Sequence, residues 1–332
     1  TPNLTDGSVY SISISGKDRA GNESNISIAR KIRYDITAPE IEMSFPFDRT
    51  YITTPAISYS LNEKLSQGKI IYNHMGGASD PNAPYEYAMD FGLRQKREHR
   101  NIFMDDGPDL MEGGVYSISI TGRDRAGNEA EVASVSGVIY DATSPKLTIQ
   151  TPDSTLAVNH NRIRFSKNED LASGTITWSG TGGKSDPSAP YRINLTDIEL
   201  IKGVSENYTL SNTPQLMDGT IYDISFSGID YAGNESENMV MSGVLYDISP
   251  PLLKIVSPGN NHFTNGSELT FFQSEGLDFG QIIWDGIGED DELLSTHWEL
   301  NKEAKKTGEH ELNNYYEPLL VDGGDYSIQF EG

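Results

Sequence analysis

The chain has 332 residues, of which 49 are acidic and 25 are basic, and it contains no cysteine. The formal net charge of -24 opposes binding to nucleic acid, because the phosphates would be repelled. Without cysteine there are neither disulfides nor thiolate metal sites, and no apolar run approaches the ~20 residues that a membrane-spanning helix needs. We therefore expect no nucleic-acid partner and no membrane insertion of this segment.

A tandem repeat organises the whole chain. The sequence D-R-A-G-N-E begins at Asp18 and Asp124, and D-Y-A-G-N-E begins at Asp230, each 106 residues further along. A fixed period of that length indicates a whole domain copied in tandem, since solenoid repeats are shorter. The predicted segments are the closing part of a preceding copy (1–35), repeat 1 (36–141), repeat 2 (142–247) and repeat 3 (248–332), which stops before its end.

The phase of the repeat leads to expectations about the two ends. We expect the chain to be a piece of a longer polypeptide that carries any secretion signal or anchor elsewhere. Residues 1–35 hold only the last strands of a domain, so they should be disordered in isolation or pair with a neighbouring chain. Because repeat 3 lacks its closing strand, strand donation between chains is a further expectation. The predicted partners are neighbouring repeats of the same or an identical chain.

Short strands separated by Gly, Pro, Asn and Asp clusters predict an all-β sandwich. Apolar and polar residues alternate along these segments, as expected for half-buried strands. In repeat 2 the strands are predicted, in chain order, over 146–151, 162–166, 175–179, 191–195, 222–226 and 240–246. Large aromatic residues recur in them at the same spacing of 106, which predicts core positions. They are Tyr59, Phe165 and Phe271, and Tyr72, Trp178 and Trp284.

A tyrosine opens one strand in each copy, three residues after D-G or G-G. Tyr10, Tyr116 and Tyr222 follow the 106-residue spacing, and Tyr326 follows at a step of 104. This pattern resembles the tyrosine corner of Greek-key sandwiches, where the ring packs and the hydroxyl bonds to nearby backbone.

Three motifs together carry a family resemblance: L-x-D-G-x-x-Y, D-x-A-G-N and Y-D-x-(T/S)-x-P. They resemble the immunoglobulin-like and fibronectin type III-like repeats of giant bacterial adhesins over the whole chain. The resemblance implies an all-β fold of tandem immunoglobulin-like Greek-key β-sandwiches arranged as beads on a string. It also implies an extracellular stalk, in which calcium stiffens some of the junctions between domains.

The assumed sandwich brings acidic residues from three loops to the end where each linker enters a repeat. Clustered carboxylate and amide oxygens, six to eight around one ion, are what calcium requires, so calcium at the junctions is one of two interpretations. The set before repeat 2 is Asp141, Asp230 and Glu235 with either Glu169 or Asp170. The set before repeat 1 is Asp35, Glu63, Asp124 and Glu129, and Asp247 occupies the same position in the next linker. The alternative is turn chemistry alone, in which A-G-N makes a tight hairpin and the preceding Asp caps it.

A second repeated element is G-G-x-S-D-P-x-A-P-Y, at 76–85 and again at 182–191. Its prolines favour a structural loop that also blocks edge pairing. The alternative is a ligand-facing loop.

Catalytic motifs are absent from the sequence. The six histidines share no repeat position, and no G-x-S-x-G, H-E-x-x-H or Walker-type loop occurs, so we do not predict an enzyme. We expect a non-enzymatic stalk or spacer of a large repetitive bacterial protein at the cell surface or outside the cell, supporting adhesion. A host or surface ligand would bind at a distal tip outside this segment. The alternatives are a filament or surface-layer subunit, favoured by contacts between copies, and a carbohydrate-binding accessory module of a secreted enzyme, favoured by an exposed aromatic platform.

Overall fold

The computed structural model describes residues 2–104, 106–152, 157–208, 213–287, 295–312 and 320–332. The chain forms two compact units, Thr1–Tyr246 and Asp247–Gly332. The secondary structure of the described residues is β-strand, apart from a 3₁₀ turn at Asp197–Glu199. None of these residues belongs to a helix that is long and apolar enough to cross a bilayer.

Two sheets face each other in repeat 1, after a hairpin of β1 (Val9–Ile14) and β2 (Ser27–Arg33). Its strands are β3 (Ile41–Phe45), β4 (Tyr51–Ile52), β5 (Ile57–Leu61), β6 (Gln67–Gly77), β7 (Tyr85–Ala88), β8 (Glu98–Ile102), β9 (Gly114–Arg123) and β10 (Ala133–Tyr140). One sheet has the order β3-β5-β8 and the other β4-β10-β9-β6-β7. This is the arrangement of an immunoglobulin-like sandwich. The pairing is antiparallel except between β4 and β10, which run parallel.

Repeat 2 has the same arrangement. Its strands are β11 (Leu147–Thr151), β12 (Ile163–Lys167), β13 (Ser173–Gly183), β14 (Tyr191–Asn194), β15 (Gly203–Tyr208), β16 (Thr220–Ile229) and β17 (Met239–Tyr246). The sheets are β11-β12-β15 and β14-β13-β16-β17. A parallel bridge between Val158 and Tyr246 takes the place of the β4–β10 pair. Each strand predicted from alternation is present, whereas β15 was not predicted.

The second compact unit contains repeat 3. Its strands are β18 (Leu253–Ser257), β19 (Leu269–Gln273), β20 (Gln281–Ile287), β21 (Thr296–Glu299), β22 (Gly308–Leu312) and β23 (Asp325–Glu331). They form the sheets β18-β19-β22 and β21-β20-β23. The two units divide between Tyr246 and Asp247. The domain boundaries at 35/36, 141/142 and 247/248 stay predictions from the repeat.

The aromatic residues at equivalent positions lie in three separate hydrophobic cores, one in each repeat. Trp178 is 0% exposed, and all six predicted core aromatics are at most 2% exposed. Their side chains point inward because they share the parity of the apolar positions on each strand. The core assignment from the sequence is therefore confirmed.

The tyrosine corner is present in every copy. The hydroxyl oxygens accept a hydrogen bond from the backbone N–H five residues earlier, at 2.8–2.9 Å. These pairs are Tyr10 with Thr5, Tyr116 with Met111, Tyr222 with Met217, and Tyr326 with Val321. Each corner fixes the chain where it enters the long penultimate strand, as the sequence predicted.

The S-D-P loop is tied to this corner. In repeat 2 the Asp186 carboxylate accepts hydrogen bonds from the hydroxyls of Tyr222 at 2.5 Å and Tyr191 at 2.9 Å. In repeat 1, Asp80 accepts from the hydroxyls of Tyr116 at 2.6 Å and Tyr85 at 3.1 Å. The aspartate of the motif thus anchors the loop to the sheet, which favours the structural interpretation of this element.

Candidate functional site

The A-G-N turn joins β1 to β2, β9 to β10 and β16 to β17, and it is closed by its own aspartate. In repeat 2, Asp230 Oδ1 accepts hydrogen bonds from the N–H groups of Ala232 and Asn234 at 2.8 and 2.9 Å. Gly233 has a φ of 91°, a left-handed conformation that glycine adopts without strain. The turn chemistry inferred from the sequence is therefore present, and it leaves Asp230 with only 2% of its surface exposed.

The asparagine of the motif connects this turn to the linker that enters the same repeat. Asn234 Nδ2 donates to the main-chain oxygen of Asp141 at 3.1 Å and to Asp230 Oδ2 at 2.9 Å. At the preceding junction, Asn128 Nδ2 donates to the main-chain oxygen of Asp35 at the same distance of 3.1 Å. The linker is thus held by one side chain in the same way at both junctions.

These contacts gather carboxylates into a cluster at each junction. At the first junction, oxygens of Asp35, Glu63 and Asp124 lie within 4.8 Å of one another. At the second, oxygens of Asp141, Glu169 and Asp230 meet the same criterion. Six of the ten predicted site residues are therefore brought together, in two groups of equivalent composition. In each group the linker supplies one residue, the loop after β5 or β12 another, and the A-G-N turn the third.

Burial, with the crowding of like charges added to it, raises the pKa of three of these carboxyl groups. Burial raises the pKa of Asp141 to about 7, with a hydrogen bond to Glu112 and the charge of Asp230 adding to the effect. Burial likewise raises the pKa of Glu169, and Asp230 adds to it. At the first junction, burial and then the charge of Asp124 raise the pKa of Glu63. The clusters therefore carry an electrostatic cost that a cation would relieve.

The second cluster lines a cleft of about 470 Å³ between repeats 1 and 2. Tyr51 and Tyr231 also line the cleft, and their rings stack with centroids 5.9 Å apart. Lys202 also lines the cleft, and its backbone N–H donates to Asp170 Oδ1 at 2.6 Å. The site therefore combines carboxylate oxygens with an aromatic contact between consecutive repeats.

Four predicted residues lie outside the two clusters. Glu129 and Glu235 are exposed and form backbone bridges to Arg123 and Ile229 at the end of their turns. Asp170 lines the cleft, but its carboxylate accepts the Lys202 N–H. Asp247 Oδ1 accepts the Ser249 N–H at 3.0 Å within the second unit.

Sequence reasoning missed a further acidic position in the linker region. Glu112 Oε2 accepts the Ala142 N–H at 3.1 Å. Its equivalent, Asp6, accepts from the Ile36 N–H at 2.8 Å and the Thr37 hydroxyl at 2.7 Å. Both residues precede the tyrosine-corner glycine, so the repeated D-G or E-G pair was the available signal.

Comparison with known proteins gives matches among solved structures only. No protein-family model matches the chain, and no curated protein matches it. The chain is similar to a tetra-tandem repeat in the extending region of a large adhesion protein, with 16% identity and a TM-score of 0.32, covering 98% of this chain and 82% of that one. A segment of two fibronectin type III domains from chicken tenascin has 14% identity and a TM-score of 0.26, covering 61% and 97%. The FN1–FN3 domains of chicken CNTN1 have 13% identity and a TM-score of 0.29, covering 88% and 92%.

Proposed function

We propose that this chain is a non-enzymatic spacer in the stalk of an extracellular or cell-surface adhesion protein, with calcium bound at its junctions. The observation that carries the proposal is the repeated junction. The Asn128–Asp35 and Asn234–Asp141 hydrogen bonds hold successive linkers in the same way, beside the same set of carboxylates. A chain whose repeats are fixed at their junctions transmits position and force, which is what a spacer must do.

The clusters suit calcium in ligand type and spacing. Ligands that lie 2.3–2.6 Å from one calcium ion are at most about 5 Å apart, and the carboxylate oxygens of each cluster lie within 4.8 Å of one another. Asp230 Oδ2 accepts one hydrogen bond, from Asn234, and keeps a lone pair for a metal. Carboxylates of Asp141 and Glu169 supply further oxygens, with Glu112 next to them, and water completes the coordination.

Calcium binding would stabilise the junctions. Without a cation, the carboxylates repel one another across the linker and favour separation of the repeats. With calcium, the same charges attract the ion and hold the linker, the loop and the turn together. Calcium should therefore stiffen the junctions while the sandwiches stay folded, since their cores contain no ligand residue.

Isothermal titration calorimetry and small-angle scattering test this proposal on the whole chain. We expect heat of binding for at least two ions and a larger maximum dimension with calcium than with chelator. Asp141→Asn should remove one of these ions, because it removes a carboxylate of the second cluster. Glu235→Gln is the matched control, since that exposed residue lies outside the cluster, and it should leave the stoichiometry unchanged.

Calcium binding and the spacer role would be refuted by different results. No heat on titration together with an unchanged maximum dimension would refute calcium binding. The spacer role would be refuted if the distance between spin labels at Glu42→Cys and Thr148→Cys were broadly distributed even with calcium. These positions are exposed and equivalent in repeats 1 and 2, and the chain has no other cysteine.

A further inference from the structure

One peptide group at each junction is held by both of the repeats that it connects. At the second junction the N–H of the Asp141–Ala142 peptide donates to Glu112 Oε2 at 3.1 Å, and its C=O accepts from Asn234 Nδ2 at 3.1 Å. Glu112 belongs to repeat 1, whereas Asn234 belongs to the A-G-N turn of repeat 2. One peptide group therefore joins the two repeats by hydrogen bonds on its two sides.

The first junction has the same arrangement. The N–H of the Asp35–Ile36 peptide donates to Asp6 Oδ1 at 2.8 Å, and its C=O accepts from Asn128 Nδ2 at 3.1 Å. At both junctions the carboxylate residue precedes the N–H donor by 30 residues, and the asparagine follows the C=O acceptor by 93. We call this arrangement, a linker peptide with its carboxylate and its asparagine, the two-sided linker contact.

The two hydrogen bonds of one linker peptide depend on each other. Neither linker peptide is cis, so the N–H and the C=O lie in one plane and point in opposite directions. A rotation of this plane that lengthens one bond also lengthens the other. Hydrogen bonds in a chain also polarise and strengthen one another. Loss of the asparagine should therefore weaken the bond between the N–H and the carboxylate, although the asparagine bonds to the opposite side of the peptide.

Local contacts in the A-G-N turn position the asparagine. The Asp230 carboxylate accepts from the backbone N–H and from Nδ2 of Asn234, both at 2.9 Å. Asn22 makes the same two contacts with Asp18 in the hairpin of β1 and β2. In repeat 2 the turn lies between β16 and β17, the last two strands of the repeat. The asparagine therefore reaches the linker only after this final hairpin has formed.

We propose that the A-G-N asparagine locks each junction only when the last hairpin of the following repeat has formed. This proposal rests on the spacer function and gives it a direction, because the lock depends on the repeat after the junction. Before the hairpin forms, the preceding repeat alone holds the linker peptide by its carboxylate, and the peptide can rotate. Formation of the hairpin completes the two-sided linker contact and fixes the plane. Each junction is thus set by the folding of the repeat that follows it.

Solvent exchange of the Ala142 amide, measured by nuclear magnetic resonance on the whole chain with chelator, tests the proposal. Gly233→Val disrupts the turn of repeat 2, because valine strongly disfavours the φ of 91° at that position. A Cβ there meets no atom within 4 Å, so the substitution acts mainly through the backbone. Gly127→Val is the matched control at the first junction, with a φ of 99° and the same open space. Asn234→Ala removes the donor and leaves the glycine in place.

We expect Gly233→Val and Asn234→Ala each to speed exchange of the Ala142 amide by about two- to tenfold, the effect of losing one hydrogen bond. The Ile36 amide of the first junction should be unaffected by them. Gly127→Val should have the opposite pattern, with faster exchange of Ile36 and unchanged exchange of Ala142. Independent hydrogen bonds would instead leave Ala142 protected in Asn234→Ala, since its carboxylate acceptor is intact.

Unchanged exchange of the Ala142 amide in Asn234→Ala would overturn the proposal, and this variant decides the matter even if Gly233→Val fails to fold. In Asn234→Ala, equally faster exchange of the β16 amides would reflect unfolding of repeat 2 and would contradict the proposal as well. So would faster exchange of Ile36, because the effect would then not be confined to the junction before the altered repeat. The chelator removes bound cations, so the result does not depend on calcium binding, and the spin-label distances test the spacer function separately.

Discussion

Tyr51 and Tyr231 belong to consecutive repeats and stack with their ring planes 25° apart. Tyr51 begins β4 of repeat 1, whereas Tyr231 follows the aspartate of the A-G-N turn in repeat 2. The turn residue at the equivalent position in repeat 1 is Arg125, and in the N-terminal segment it is Arg19. The stack therefore adds a contact to the second junction that does not depend on the carboxylates.

Replacing Tyr231 with alanine should loosen this junction. Loss of an aromatic pair costs about 0.5–1.5 kcal/mol beyond the buried area, so the distance between labels at Glu42→Cys and Thr148→Cys should become more broadly distributed. Tyr231→Phe is the control and should keep the narrow distribution, because the ring is retained. Pulsed electron spin resonance measures the distance distributions of both variants. A distribution for Tyr231→Ala as narrow as that of the control would contradict a stiffening role of the stack.

Removing the hydroxyl of the tyrosine corner should destabilise repeat 2. Tyr222→Phe leaves the Met217 N–H without its acceptor and deprives Asp186 of its hydrogen bond at 2.5 Å. We expect a loss of about 1–3 kcal/mol in the free energy of unfolding, the cost of unsatisfied buried polar groups. Hydrogen exchange of the β16 amides measures it. Tyr231→Phe should change these rates little, since Tyr231 is 58% exposed, and equal effects of the two substitutions would argue against the corner.

Acid should weaken the S-D-P loop through Asp186. Burial raises the pKa of this carboxyl, but hydrogen bonds from Tyr222 and the Ser188 N–H outweigh it, so the net pKa lies below 3.8. A lowered pKa in the folded state stabilises the protein above the unfolded value, and this contribution is lost as pH falls from about 4 through the folded pKa. Asp186→Asn should remove that part of the pH dependence. The test compares the denaturant midpoints of the unchanged chain and of Asp186→Asn at about pH 6 and about pH 3. The same loss of midpoint on acidification in both proteins would contradict the prediction.

Truncating Trp178 should open a cavity in the core of repeat 2. Its side chain is fully buried and contacts Tyr222 edge-on at a centroid distance of 5.9 Å. Trp178→Ala should cost about 3–5 kcal/mol, measured from exchange of the β13 amides. Trp178→Tyr is the matched control, because repeat 1 has Tyr72 at the equivalent position, and it should cost less. An alanine variant with unchanged exchange would be inconsistent with the core assignment.

The sequence by itself determined the period, the strand pattern and the core. Alternation along each strand placed Ile176 and Trp178 on one face, and the spacing of 106 aligned them with their equivalents, because strand parity is a local property. The short β15 strand was not predicted. Its pairing to β12 is set by the neighbouring strand, and its own residues give little alternation. The tyrosine corner was predictable because its hydrogen bond spans only five residues.

Only the tertiary structure decided which members of a predicted junction set meet across long separations in the chain. It brought Asp141, Glu169 and Asp230 together but left Glu235 outside, since the residue after Asn234 bridges back to Ile229 and is exposed. The same holds for the Tyr51–Tyr231 stack. Such contacts depend on how loops from distant parts of the chain pack against one another. The alternation and spacing of residues predict where the loops are, but they do not predict how the loops pack.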